Sequence, residues 1–183
     1  MKKTSGVVCS IVLGLLLLVQ CLQVSGQTEG IKSISSLLED LRSSDYHNRI
    51  NAIAIITTRQ PIDEDAVAAV ITTLHDDENP LVRVNAAFAL GNLGSMASQN
   101  VILALTRALY DESPSVRLMP FYALANIGSA AKGAIPVLED FEKSSDISTR
   151  ESAIFALEAI RNGKCIARPF NPYSGKRNFR ACK

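Results

Sequence analysis

The chain is predicted to be all-α, a solenoid of four stacked helix pairs, and three observations predict it. The first is a period. Arg49, Arg83, Arg117 and Arg150 are 34, 34 and 33 residues apart, and a fixed spacing in this range marks a stack of repeated units. The second is a sentence written twice, DDENPLVRVNAAFALGNLG at 76–94 and YDESPSVRLMPFYALANIG at 110–128, with weaker copies at 43–58 and 144–161. The third is that apolar residues recur at helical spacing in and between the copies, while no segment alternates as a strand would.

Taken in order, each element has a local cause. Ile31, Ile34, Leu37, Leu38 and Leu41 give one apolar face to a helix at 31–42. Asp45 then caps a helix at 46–59, since its side chain can accept an orphan first-turn amide. Val67, Val70, Ile71 and Leu74 form the face of a helix at 64–75, which Asp63, Glu64 and Asp65 open where the dipole favours carboxylates. Asn79 and Pro80 start the next at 80–93, with Val82, Ala86, Ala89, Leu90 and Leu93 inside and Gly94 as its stop. Ile102, Leu105 and Leu109 predict 98–110. Ser113 and Pro114 start 114–127, which ends at Gly128. Pro120 replaces the core alanine of that helix (Ala86 in the previous copy) and should kink it by removing a backbone bond. Ile135, Leu138 and Phe141 predict 131–143, and Asp146 caps 147–161.

The order of acid, proline, Val-Arg, alanine-rich run and Leu-Gly resembles the HEAT family, in particular the short HEAT-like repeats of phycobilisome lyases. The resemblance covers 31–161 and implies a right-handed α-solenoid of four HEAT-like helix pairs. It also implies that each arginine bonds an aspartate in the preceding turn. Asp77 and Asp111, six before Arg83 and Arg117, fit that role; Ser43 and Ser144 replace them in the outer repeats, which cap the stack and depart from consensus.

Outside the repeats, Lys2-Lys3 and the 13-residue apolar run Val7–Val19 read as a signal peptide, too short for the ~20 residues of a membrane span. Val24-Ser25-Gly26 places cleavage after Gly26, so 1–26 is the expected signal. An uncleaved anchor and a lipidated Cys21 are the other readings. The chain is expected to be secreted or periplasmic, with membrane attachment only through those two routes. Residues 27–163 carry 18 acids against 11 Lys and Arg, a net of −7, whereas 164–183 carry six basic residues and no acid. Cys165 and Cys182, an even pair in an exported chain, are expected to form a disulfide. The basic tail they close, with Phe170, Tyr173 and Phe179, either caps the last helix pair or meets a partner.

No phosphate loop, metal-spaced His/Cys cluster or nucleophile constellation occurs, so no enzyme activity, cofactor or metal is expected. His47 and His75 read as solvated helix-end residues. The lyases with similar repeats are enzymes, but none of their catalytic motifs is identifiable here. What remains is a surface. With Val82, Ala86 and Leu90 inside, the second helices turn Val84, Asn85, Phe88, Asn92, Leu118, Met119, Tyr122, Asn126 and Phe155 elsewhere. The resemblance puts these on the concave face, where Phe88, Tyr122 and Phe155 form a file. They would bind a protein partner, since aromatics and Met are enriched at such sites, or would fill grooves between neighbouring helices. The expected function is a non-enzymatic protein-binding module. The alternatives are a nucleic-acid or other polyanion binder through the tail, and an auxiliary subunit of an enzyme.

Overall fold

The computed structural model describes residues 32–163, and among them every regular element is helical. Eight α-helices follow one another: α1 Ile34–Asp40, α2 Tyr46–Thr58, α3 Glu64–Asp76, α4 Pro80–Gly91, α5 Gln99–Ala108, α6 Pro114–Ile127, α7 Ile135–Glu142 and α8 Ile147–Asn162. Short 3₁₀ turns at Gly94–Met96 and Gly128–Ala134 join the second pair to the third and the third to the fourth. The signal segment, Cys165, Cys182 and the basic tail lie outside the described residues.

The starts are capped as their residue types dictate. Asp45, Asn79 and Asp146 accept the amides of His47, Leu81 and Thr149, and Asp63 accepts that of Ala66. Ser113 occupies the same position without a side-chain cap; its hydroxyl meets that of Ser115 at 2.9 Å instead. Gly94 and Gly128 follow α4 and α6 with positive φ, 55° and 68°, a region open to glycine.

A helix start and a helix interior differ from expectation. The helix predicted over 131–143 begins at Ile135, behind a 3₁₀ turn in which Ala131 leaves helical geometry. Pro136 is the reason: inside a helix started at 131 its ring would strike the carbonyl four residues back, but near a first turn its missing N–H costs nothing. Pro120 does not interrupt α6, which runs unbroken from Pro114 to Ile127.

One hydrophobic core runs through all four pairs. The second helices α2, α4, α6 and α8 stack on one another, most extensively α4 on α6 and α6 on α8. At the α4–α6 crossing a Cβ on Gly91 would sit 2.6 Å from the Ala123 Cα. The two helices meet backbone to backbone because both residues are small.

The arginines form a ladder, though not the expected one. Arg49 grips Asp77 through Nε and Nη2 at 2.8 and 2.9 Å, and Arg83 grips Asp111 through the same atoms at 2.9 Å each. Each aspartate belongs to the next repeat. The residue six before each arginine contributes only its backbone carbonyl: Ser43 to Arg49, Asp77 to Arg83, Asp111 to Arg117, Ser144 to Arg150. Asp77 and Asp111 therefore receive a guanidinium from behind on the side chain and another from ahead on the main chain. Their carboxylates also accept the amides of Asn79 and Ser113, closing the turn into α4 and α6. Ser144 occupies the equivalent position in the last repeat, so among the described residues Arg117 has no carboxylate partner.

Candidate functional site

The predicted surface residues fall on three stacked second helices: Val84, Asn85 and Phe88 on α4 with Asn92 at its end, Leu118, Met119, Tyr122 and Asn126 on α6, and Phe155 on α8. Phe88, Asn92, Met119, Tyr122 and Asn126 line one notch between α4 and α6, floored by Gly91 and Ala123. The close approach at Gly91 makes the notch shallow. Its free volume is about 20 Å³, against the several hundred Å³ of a small-molecule site, so it suits the tip of a side chain and not a cofactor.

The aromatic file is partly continuous. The Tyr122 and Phe155 rings lie 5.6 Å apart and tilted, while Phe88 stands across the notch. All three rings are half-buried, and Phe88 and Phe155 pack against the core. Met119 is not a surface residue. It is 5% exposed and belongs to the core, forming a wall of the notch from beneath. Val84 also leans on the core. Asn126 holds two helices together: its amide donates to the Gly91 carbonyl at 2.9 Å, satisfying the end of α4 from α6. Asn85 turns back to the Leu81 carbonyl of its own helix at 2.7 Å. Asn92 is exposed beside them.

A second, larger cleft of about 510 Å³ lies at the turns between α3 and α4 and between α5 and α6. His75, Arg107 and Tyr110 line it beside the Arg83–Asp111 pair and several carboxylates. Sequence reasoning misses this cleft, because its walls come from two turns 34 residues apart. His75 is half-buried here and not simply solvated. Burial, then the charge of Arg107, lower its imidazole from the ordinary value; Asp76 and Asp111 oppose the shift without reversing it. Burial also pushes the Asp111 carboxyl up. Hydrogen bonds from Arg83 and the Ser113 amide, with the charges of Arg83 and Arg117, outweigh that and hold it below the usual aspartate value. Among the described residues no group of three or more His, Cys, Asp or Glu is placed to hold a metal, and no helix is long and apolar enough to cross a membrane.

Stacked helix pairs, a continuous core and an inter-repeat arginine ladder define the class, a helical-repeat scaffold. The model of HEAT repeats matches residues 34–99 and 67–158, and the chain belongs to the HEAT-repeat family. Among solved structures it is similar to human deoxyhypusine hydroxylase in complex with glycerol, at 23% identity and a TM-score of 0.59, over 71% of this chain and 44% of that one. It is similar also to an engineered protein, at 23% identity and a TM-score of 0.50, over 74% of this chain and 65% of that one. The chain spans less than two thirds of either, and identities this low speak for the fold alone. No curated protein sequence matches.

Proposed function

We propose that this HEAT-repeat scaffold is an exported, non-enzymatic module that holds a protein partner on the shared face of its second helices. The observation that carries this reading is the notch between α4 and α6, where five of the residues expected at a binding surface converge. A notch for one side-chain tip, flanked by half-buried aromatic edges and the polar Asn92, suits an anchor residue of a polypeptide. Binding energy concentrates at such anchors.

The test is Tyr122→Ala, assayed for stability and for capture of partners from the extracellular or periplasmic fraction. Loss of about 2 kcal/mol in affinity for the captured protein, with stability nearly unchanged, supports the reading. A large loss of stability with unchanged capture would mean that the ring is packing and the binding face lies elsewhere. Export is checked separately by N-terminal sequencing. A chain starting at Gln27, within a residue or two, supports it, and one that starts at Met1 in the cytosol overturns it.

A further inference from the structure

The last helix carries a face that the three before it bury. Four and eight residues after each repeat arginine stand Ile53 and Thr57 in α2, Ala87 and Gly91 in α4, and Phe121 and Ala125 in α6, all buried; Gly91 lies against Ala123 and Phe121 against Phe141 of the next repeat. In α8 the same positions are Ile154, 36% exposed, and Glu158, exposed. The residue just after the arginine is Ile50, Val84 and Leu118 in turn, each half-buried, and then exposed Glu151. Ile147 adds a side chain that is 62% exposed at the start of the same helix. Among the described residues this face of α8 is thus an apolar strip edged with carboxylates.

We infer that this face of α8 is the docking site of the chain's own basic tail, residues 164–183. Glu158 stands where the inner repeats need Gly or Ala for close helix contact, so another HEAT helix, from a second copy or otherwise, would trap a charge against backbone. The carboxylates repel an anionic partner and attract a cationic one. The tail supplies six cations, no acid, and Phe170, Tyr173 and Phe179 for the apolar strip. It also starts in the right place. Gly163 turns the chain out of α8 with φ 61°, five residues beyond Glu158. A helix of 16 residues is ~24 Å long at 1.5 Å per residue, which about eight extended residues retrace. Twenty residues therefore suffice even when doubled by a Cys165–Cys182 bond. An exposed solenoid end must be covered to stay soluble, and here cover and charge complement lie on one chain.

The test uses the full chain with a benzophenone photo-cross-linker in place of Ile154, in a mixture of isotope-labelled and unlabelled protein. Cross-links to peptides of 164–183 within one isotope population support the inference. Mixed-isotope cross-links would place the tail on a neighbouring copy and overturn it, as would cross-links that avoid the tail. A second measurement needs no cross-linker: tryptic cleavage after Lys176, Arg177 and Arg180 should quicken in Glu151→Lys/Glu158→Lys. The expected gain is roughly two- to thirtyfold, the range that two exposed ion pairs span. An unchanged rate in a variant of unchanged helicity also overturns the inference. Tyr122→Ala should leave both readouts unmoved, so the tail's docking and the partner surface stand or fall separately.

Discussion

Asp111 shows how one side chain ties two repeats. Its carboxylate takes the Arg83 fork at 2.9 Å while its carbonyl takes Arg117, also at 2.9 Å. Replacing Asp111 with alanine leaves Arg83, 4% exposed, without its main partner. That should cost about 3 kcal/mol, the lower end for a broken buried pair, read as a lower urea midpoint at pH 7. The same residue sets an acid limit. Its folded pKa lies below the ordinary 3.8, so its contribution is complete above that value and is lost as pH falls through the folded one. His75, also lowered, adds a contribution that is complete above 6.5 and declines as pH drops below it. Stability should therefore fall in two windows, one opening below about 6.5 and one below about 3.8. Asp111→Ala should shrink the second without erasing it, because hydrogen bonds from Thr149 hold the Asp146 carboxyl below 3.8 as well. Flat urea midpoints from pH 7 to 3 would contradict both shifts. Sequence alone misassigns the ladder for a definite reason. Asp77 is both six before Arg83 and 28 after Arg49, and Asp111 stands likewise to Arg117 and Arg83. Spacing cannot say which arginine reaches the carboxylate; only the stacking of repeats decides.

At the scale of the helices, what is legible in the sequence is what local chemistry dictates. Caps at Asp45, Asn79 and Asp146, stops at Gly94 and Gly128, and the apolar faces all act within a few residues, and the structure repeats them. What is hidden depends on a neighbouring helix. Gly91 reads as an ordinary member of GNLG, yet a Cβ there would meet the Ala123 backbone. Gly91→Ala should accordingly destabilise by about 1–3 kcal/mol through overpacking, although alanine is the better helix former. A thermal melt checks the sign: a raised midpoint would mean that α4 and α6 separate freely. Met119 escapes a sequence reading for the same kind of reason. Helical spacing turns it outward, but α6 is a middle layer with neighbours on both sides. The notch itself is half legible. Periodicity places its rim residues on one face, while its depth is set by the Gly91–Ala123 approach.

For the whole molecule, a stack in which each repeat touches only its neighbours should not be uniformly stable. The middle second helices bury the most: seven residues of α4 and eight of α6 are buried, with neighbours on both sides. By contrast α1 buries Leu37 alone and α7 Leu138 alone. Local opening costs scale with such burial. Backbone amides of α4 and α6 should exchange slowest in native-state hydrogen exchange, and those of α1 fastest, in a gradient outward from the centre. The Arg49–Asp77 and Arg83–Asp111 forks join successive repeats along the first three pairs, whereas Ser144 interrupts the series before the fourth. The fourth pair should therefore open more independently, and α7 amides should exchange well before those of α5. Exchange at one common rate across all eight helices would show a single cooperative unit, and would mean that core continuity outweighs the missing fork.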